Sequence, residues 1–183
     1  MAATAAGEIK EAYLALCEKN DSKPHPYVIQ KLTEASTDVL MNTTDDLTLD
    51  LSGNGTLEDA DRVGFSECNP YPNRLSIMDV ENLCSILSHS TSLTSLDLRF
   101  NNLSDAVAPS IRELINFSTS MIQLDLMGNN LTARGVKQFA LAVQDNKVLR
   151  SLRLTGNKIG NQGGMYIAQA LQVSIEFLVY KMS

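Results

Sequence analysis

The chain has 183 residues, of which 44% are hydrophobic, 20% are charged and 15 are Gly or Pro, a composition that excludes a disordered or collagen-like polymer. A chain of this size folded as one body buries about two thirds of the surface it exposes when unfolded. Fifteen Lys and Arg against 21 Asp and Glu leave a net charge of −6, so no general basic field draws the chain to nucleic acid or anionic lipid.

The start, MAATAAGEIKEAYLALCEKN, lacks the basic and apolar regions of a secretory signal, and nowhere do eighteen apolar residues run together. A soluble protein is expected. Three cysteines, Cys17, Cys68 and Cys84, odd in number and far apart, fit reduced thiols better than a disulfide framework. Two helices are expected first, over residues 7–19, with Ile9, Tyr13, Leu16 and Cys17 on one face, and over residues 26–41 behind Pro24 and Pro26. DDLTLDLSGNGTL (45 to 57) then reads as an irregular strand followed by an acidic surface insertion, LEDAD.

The decisive pattern follows. LTSLDLRFNNL (93 to 103), MIQLDLMGNNL (121 to 131) and LRSLRLTGNKI (149 to 159) share the template LxxLxLxxNxL at intervals of 28 residues. One interval earlier, FSECNPYPNRL (65 to 75) keeps Asn73 and Leu75 but has Cys68 and Pro70 at the strand leucines, a degenerate copy. Leu83, Ile111, Phe139 and Ile167 form one column in the same period, and Leu87, Ile115, Val143 and Leu171 form a second, four residues on and therefore on the same helix face. Each unit reads as a short strand, an asparagine turn and a helix of roughly ten to twelve residues that cannot bury its apolar face alone. Stacking at about 5 Å per strand joins the units into one core between a parallel sheet and an outer helical layer. Asn73, Asn101, Asn129 and Asn157 are expected to form a ladder, each carboxamide both donating to and accepting from buried backbone of neighbouring turns.

On these motifs the chain resembles the leucine-rich repeat family, in its ribonuclease-inhibitor-like subclass of 28-residue units. The expected fold class is α/β: a leucine-rich repeat solenoid over residues 47–176, with the parallel sheet concave and the helices convex. Residues 1–46 form an N-terminal helical cap, and 177–183 an incomplete last repeat or tail. Phe177, Tyr180 and Met182 fall at strand positions of a fifth unit whose turn lies beyond the chain. The resemblance implies further repeats, so VSIEFLVYKMS reads as the end of a shortened form, with an apolar edge that invites a partner or self-association.

DLSGNGTLEDAD (50 to 61) approximates a calcium loop, with Asp50, Ser52, Asn54, Glu58 and Asp61 at ligand positions. Position 12 is Asp rather than Glu, Arg62 follows it, no second loop pairs with it and a strand precedes it, so it is read as a repeat turn. GNKIGNQGG (156 to 164) lacks phosphate-loop spacing and is a repeat turn with a helix start. His25 and His89 have no evident nucleophile or metal partner, and Cys68 and Cys84 sit at packing positions. No catalytic, cofactor or metal site is assigned.

What remains is the concave face, where the non-leucine strand positions point. It holds Glu67, Asn69 and Tyr71, then Ser95, Asp97, Arg99 and Phe100, then Gln123, Asp125 and Met127, then Ser151, Arg153 and Thr155. Tyr71, Asp97, Arg99, Phe100, Asp125, Met127 and Arg153 are the partner-binding residues expected, a mixture of charge and aromatic or flexible anchors found in protein interfaces. The neighbouring Asp97 and Asp125 require Arg99, Arg153 or a partner's basic group to offset them. The resemblance implies a non-enzymatic interaction module or scaffold, cytoplasmic and part of a larger assembly such as a ciliary axoneme. Regulation of a small GTPase, or a nuclear adaptor role, stands as the alternative.

Overall fold

Leucines two residues apart on a strand point to one side of it, and LxxLxL therefore buries a pair of side chains per unit. A computed structural model describes residues 5–38, 46–53 and 73–181, the last helix by its backbone alone beyond Ala170. Strands β1 (Leu47–Asp50), β2 (Leu93–Asp97), β3 (Gln123–Asp125) and β4 (Ser151–Arg153) form one parallel sheet in chain order. Leu49, Leu96, Leu124 and Leu152 stand in register across it. Helices α1 (Ala5–Lys19) and α2 (Pro26–Asp38) precede the sheet, and α3 (Ile77–Leu87), α4 (Ala108–Phe117), α5 (Ala133–Asp145) and α6 (Gly160–Lys181) return behind it. Seven of the eight column residues are where the period puts them: Leu83, Leu87, Ile111, Ile115 and Phe139 are buried, and Val143 and Ile167 pack against the same core, while the Leu171 side chain lies outside the described residues.

The helices start on a column of their own. Ser76, Ser104 and Thr132 recur every 28 residues, and each side chain accepts a backbone N–H from the first turn that follows, from Asp79, Ala106 and Arg134 respectively. Such a cap stabilises a helix by about 1 kcal/mol. Pro109 in the first turn of α4 adds a preset dihedral where no amide is needed.

The ladder runs through Asn101, Asn129 and Asn157. Asn129 Oδ1 accepts the Leu103 N–H at 3.0 Å, while its Nδ2 donates to the carbonyls of Leu98 and Leu126, each at 3.0 Å. Asn157 repeats this with the Leu131 N–H and the Leu126 and Leu154 carbonyls, and Asn101 with the Leu75 N–H and the Leu51 carbonyl. Among the described residues no buried side-chain nitrogen or oxygen lacks a partner.

Two expectations fail. The first concerns the degenerate copy at 65–75, which has no place between β1 and β2 because these strands pair directly, Asp50 beside Asp97. By that register the position equivalent to Asn101 is Asn54, not Asn73, and Leu75 takes the place that Leu103 holds in the next unit. The physical reason is in the residues: Pro70 and Pro72 cannot donate to a ladder, and a central strand needs those amides. The inserted residues 54–72, with Cys68, Glu67, Asn69 and Tyr71, lie outside the described residues. The second concerns the end of the chain. The backbone is helical through Lys181 where Phe177 and Tyr180 were expected in a strand, because nothing from Met165 onward is a Gly or Pro that would stop α6.

The N-terminal helices join the solenoid through polar contacts as well as through buried Ile9, Tyr13 and Cys17. The Tyr13 hydroxyl donates to Asp79 Oδ1 at 3.0 Å and accepts the His25 N–H at 3.1 Å, and Asn20 Nδ2 donates to Asn82 Oδ1 at 2.8 Å. Burial, with the Asp79 charge beside it, pushes the phenol well above its ordinary value.

Asn129→Ala strands one buried N–H and relieves two carbonyls of their donor, and it should cost about 1–3 kcal/mol. Urea denaturation of the two proteins measures this, and equal midpoints would contradict the ladder.

Candidate functional site on the concave face

The strands end in the repeated sequence LDL, at Asp50, Asp97 and Asp125, and in LRL at Arg153. Each aspartate turns back on its own chain. Asp50 Oδ1 accepts the Ser52 N–H at 3.0 Å, Asp97 Oδ1 accepts the Arg99 N–H at 2.9 Å, and Asp125 Oδ1 accepts the Met127 N–H at 3.0 Å. A short acidic side chain that satisfies the amide two residues on is what a turn leaving a strand requires. Pairing then sets Asp50, Asp97, Asp125 and Arg153 in one row across the sheet.

Three carboxylates in a row repel one another unless compensated. Arg99 donates from Nε to Asp97 Oδ2 at 2.7 Å, approaches Asp125 Oδ2 at 3.7 Å, and has its charged form stabilised by Asp97 before all else. Arg153 NH1 lies 3.0 Å from Asp125 Oδ2. The Asp125 side chain is 3% exposed, Asp97 16%, Arg99 32% and Arg153 48%, so the anions are inside this network and the cations outside. Asp125 therefore anchors the arginines, and the faces open to solvent belong to Arg99 and Arg153.

Phe100 stands where the neighbouring units have Gly53, Gly128 and Gly156, and it takes a left-handed conformation, φ 58°. Its ring lies across the next turn: a Cβ on Gly128, itself at φ +66°, would sit 2.3 Å from the ring carbons. The glycine is thus required twice over. Met127 is half-buried beside this ring's turn, with its sulfur 4.0 Å from Arg153 NH2.

Six of the seven expected residues, Asp97, Arg99, Phe100, Asp125, Met127 and Arg153, come together in one patch, while Tyr71 is outside the described residues. Asp50 was missed. It is exposed and extends the row to the capped end, where the Tyr27 hydroxyl from α2 reaches its carbonyl at 3.5 Å. Partial burial opposes its ionisation, but the Ser52 hydroxyl and N–H outweigh that and hold the carboxyl below its ordinary range. The signal was present in LTLDL, which shares LDL with the two following strands. The concave face therefore runs from acidic at β1 to basic at β4, with Phe100 and Met127 between.

The other chemical residues are structural. Asp50 and Ser52 of the calcium-like loop bond to each other; its remaining ligand positions lie outside the described residues. His25 Nδ1 accepts the Tyr27 N–H, and His89 lies against Ser85 and Ser88 at the end of α3. Burial pushes the Cys84 thiol up to about 12.

Residues 89–106, 117–140 and 145–168 match a family model described as leucine-rich repeat, and the fold of these units is of the leucine-rich repeat type. Domains of this class generally serve as protein-interaction modules and are typically non-catalytic. No curated protein matches the sequence. Among solved structures the chain is similar to leiomodin-1 actin-binding site 2, with 21% identity and a TM-score of 0.51 over 54% of this chain and 58% of that one. It is also similar to the tropomodulin C-terminal domain from Caenorhabditis elegans, with 18% identity and a TM-score of 0.37 over 60% of this chain and 83% of that one. The leiomodin-1 likeness is one of fold. No helix among the described residues is long and apolar enough to cross a membrane.

Two measurements check this site. Gly128→Ala should destabilise the protein by more than about 1 kcal/mol, and Phe100→Ala in the same chain should recover part of the loss, so that the two changes are non-additive by thermal or urea denaturation. Cys84 should resist iodoacetamide at mildly alkaline pH until denaturant is added, as peptide mass spectrometry of the labelled chain would reveal.

Proposed function

We propose that this chain is a non-enzymatic protein-interaction module that receives its partner on the concave face. The single observation that carries the reading is the graded row Asp50, Asp97, Asp125, Arg153, whose solvent-facing groups flank the Phe100 ring and the Met127 side chain. A partner segment with a basic group over Asp50, an acidic group over Arg99 and Arg153 and an apolar side chain between them is complementary to it. Tyr71, Asp97 and Asp125 belong to the proposed site as well, Asp125 by holding the guanidinium groups. TGNKIGNQGGMYIAQALQ together with STSLTSLDLRFNNL also resembles leucine-rich repeat-containing protein 34. In line with the subclass, the proposed setting is a larger cytoplasmic or ciliary assembly.

Affinity purification with quantitative mass spectrometry tests the reading, comparing the native chain with Asp50→Lys/Met127→Glu and with the convex-face variant Arg112→Glu. The first variant should lose the partners that the second retains, with circular dichroism of all three unchanged. Identical partner sets from all three would refute a concave site.

A further inference from the structure

The two guanidinium groups of the concave face converge on one atom. Arg153 NH1 lies 3.0 Å and Arg99 Nε 3.7 Å from Asp125 Oδ2, so the positive end of the charged row stands over β3, although Arg153 belongs to β4. Over β2 the charge is closed, because Arg99 also holds Asp97 Oδ2 from Nε at 2.7 Å and from NH2 at 2.6 Å. Over β1 it is open. Asp50 is exposed, its Oδ1 accepts the Ser52 N–H and hydroxyl, and it makes no ion pair among the described residues. The face thus presents an anion, a neutral pair and two cations on three successive strands.

These spacings select the backbone that can meet them. The anion and the cations are two strand steps apart, about 10 Å. On an α-helix laid across the strands, residues i and i+7 point the same way about 10.5 Å apart, and i+3 or i+4 falls between them over β2. A β-strand places the side chains of one face about 7 and 14 Å apart, so it misses one charge or the other. A polyproline helix covers the distance in three residues, about 9 Å, but turns both intervening side chains away from the sheet. One intervening side chain has a surface to meet, because Phe100 starts in the turn after β2 and its ring reaches Gly128 in the turn after β3. On the other side of the charged row, two residues earlier on each strand, Thr48, Ser95, Gln123 and Ser151 pair into a parallel uncharged row. Rows two residues apart are separated by about 7 Å, a width that a helix of about 10–12 Å diameter covers.

We infer that the occupant of the concave site is an α-helix of a partner protein, lying across the strands. It carries a basic residue over Asp50, an acidic residue seven positions away between Arg99 and Arg153, and an apolar residue three or four positions from the basic one, against Phe100. Its flank over the uncharged row carries small or hydrogen-bonding residues. This inference rests on the concave site proposed above and adds the conformation and spacing of what binds there.

The test is an amide-resolved NMR titration of the full chain with synthetic probes. Two are alanine-based helices of about fifteen residues with Lys and Glu seven positions apart, one in each order, and Leu between them. A third has Lys and Glu five positions apart, on different helix faces, and a fourth is Pro-rich with the two charges three apart. A seven-apart helix should give saturable shifts at the Asp50, Gln123 and Met127 amides, and the five-apart helix should bind about tenfold more weakly or worse. Asp50→Lys should weaken the seven-apart helix by a similar factor, an effect that shrinks as salt rises, and replacing the probe's Lys by Glu should restore binding to that variant. Equal binding of the five-apart helix would overturn the spacing, and silence of all four probes at millimolar concentration would overturn the inference. Shifts at the same amides from the Pro-rich probe alone would overturn the helix and leave the concave site standing. Saturable shifts confined to the convex helices would remove the concave site as well.

Discussion

The turns after β1, β2 and β3 bury backbone groups with no strand beside them, and the side chain that satisfies them comes from the following unit. Asn129 stands in the turn after β3 but directs its carboxamide to Leu103 and Leu98 of the turn before, as Asn157 does to Leu131 and Leu126. An amide has both a donor and an acceptor, and the task needs both in one side chain. Leaving such groups unpaired costs about 1–3 kcal/mol each, so no unit is stable except as a neighbour. Leucine stacking and helix packing reinforce this dependence, but the carboxamides set the register in which they act.

A structure held by neighbour contacts needs its first strand covered. Beside β1, α1 and α2 supply apolar cover and a hydroxyl, Tyr13, that ties these helices to Asp79 of α3. Beside the last described strand, Leu149, Leu152 and Leu154 are half-buried where Met121, Leu124 and Leu126 are buried.

The concave face obeys a different constraint. Its aspartates are held by turn amides at fixed positions, so their mutual repulsion is built into the repeat, and Arg99 and Arg153 answer it. A buried carboxylate retained in this way orients the guanidinium groups that face solvent. Phe100 departs from the glycine of its neighbours in a left-handed conformation that β-carbon-bearing residues seldom adopt, and such departures cluster at functional surfaces.

Periodicity made most of the fold legible in the sequence. The parallel sheet, the two helix columns and the carboxamides of Asn101, Asn129 and Asn157 follow from which side chains recur every 28 residues, because a repeat that cannot bury its own leucines has one way to hide them. The patch of Arg99, Phe100, Asp125, Met127 and Arg153 followed from strand alternation alone. Composition and spacing did not distinguish two ways of aligning the first unit, one through Asn73 and one through β1, since both preserve an asparagine and a leucine at the right distance. Only the three-dimensional pairing of Asp50 with Asp97 decided it, because strand register is a property of two segments joined by hydrogen bonds and not of either one. The burial of Asp125 and the ring of Phe100 over Gly128 are likewise matters of what stands beside a residue in space, which the order of residues along the chain does not record.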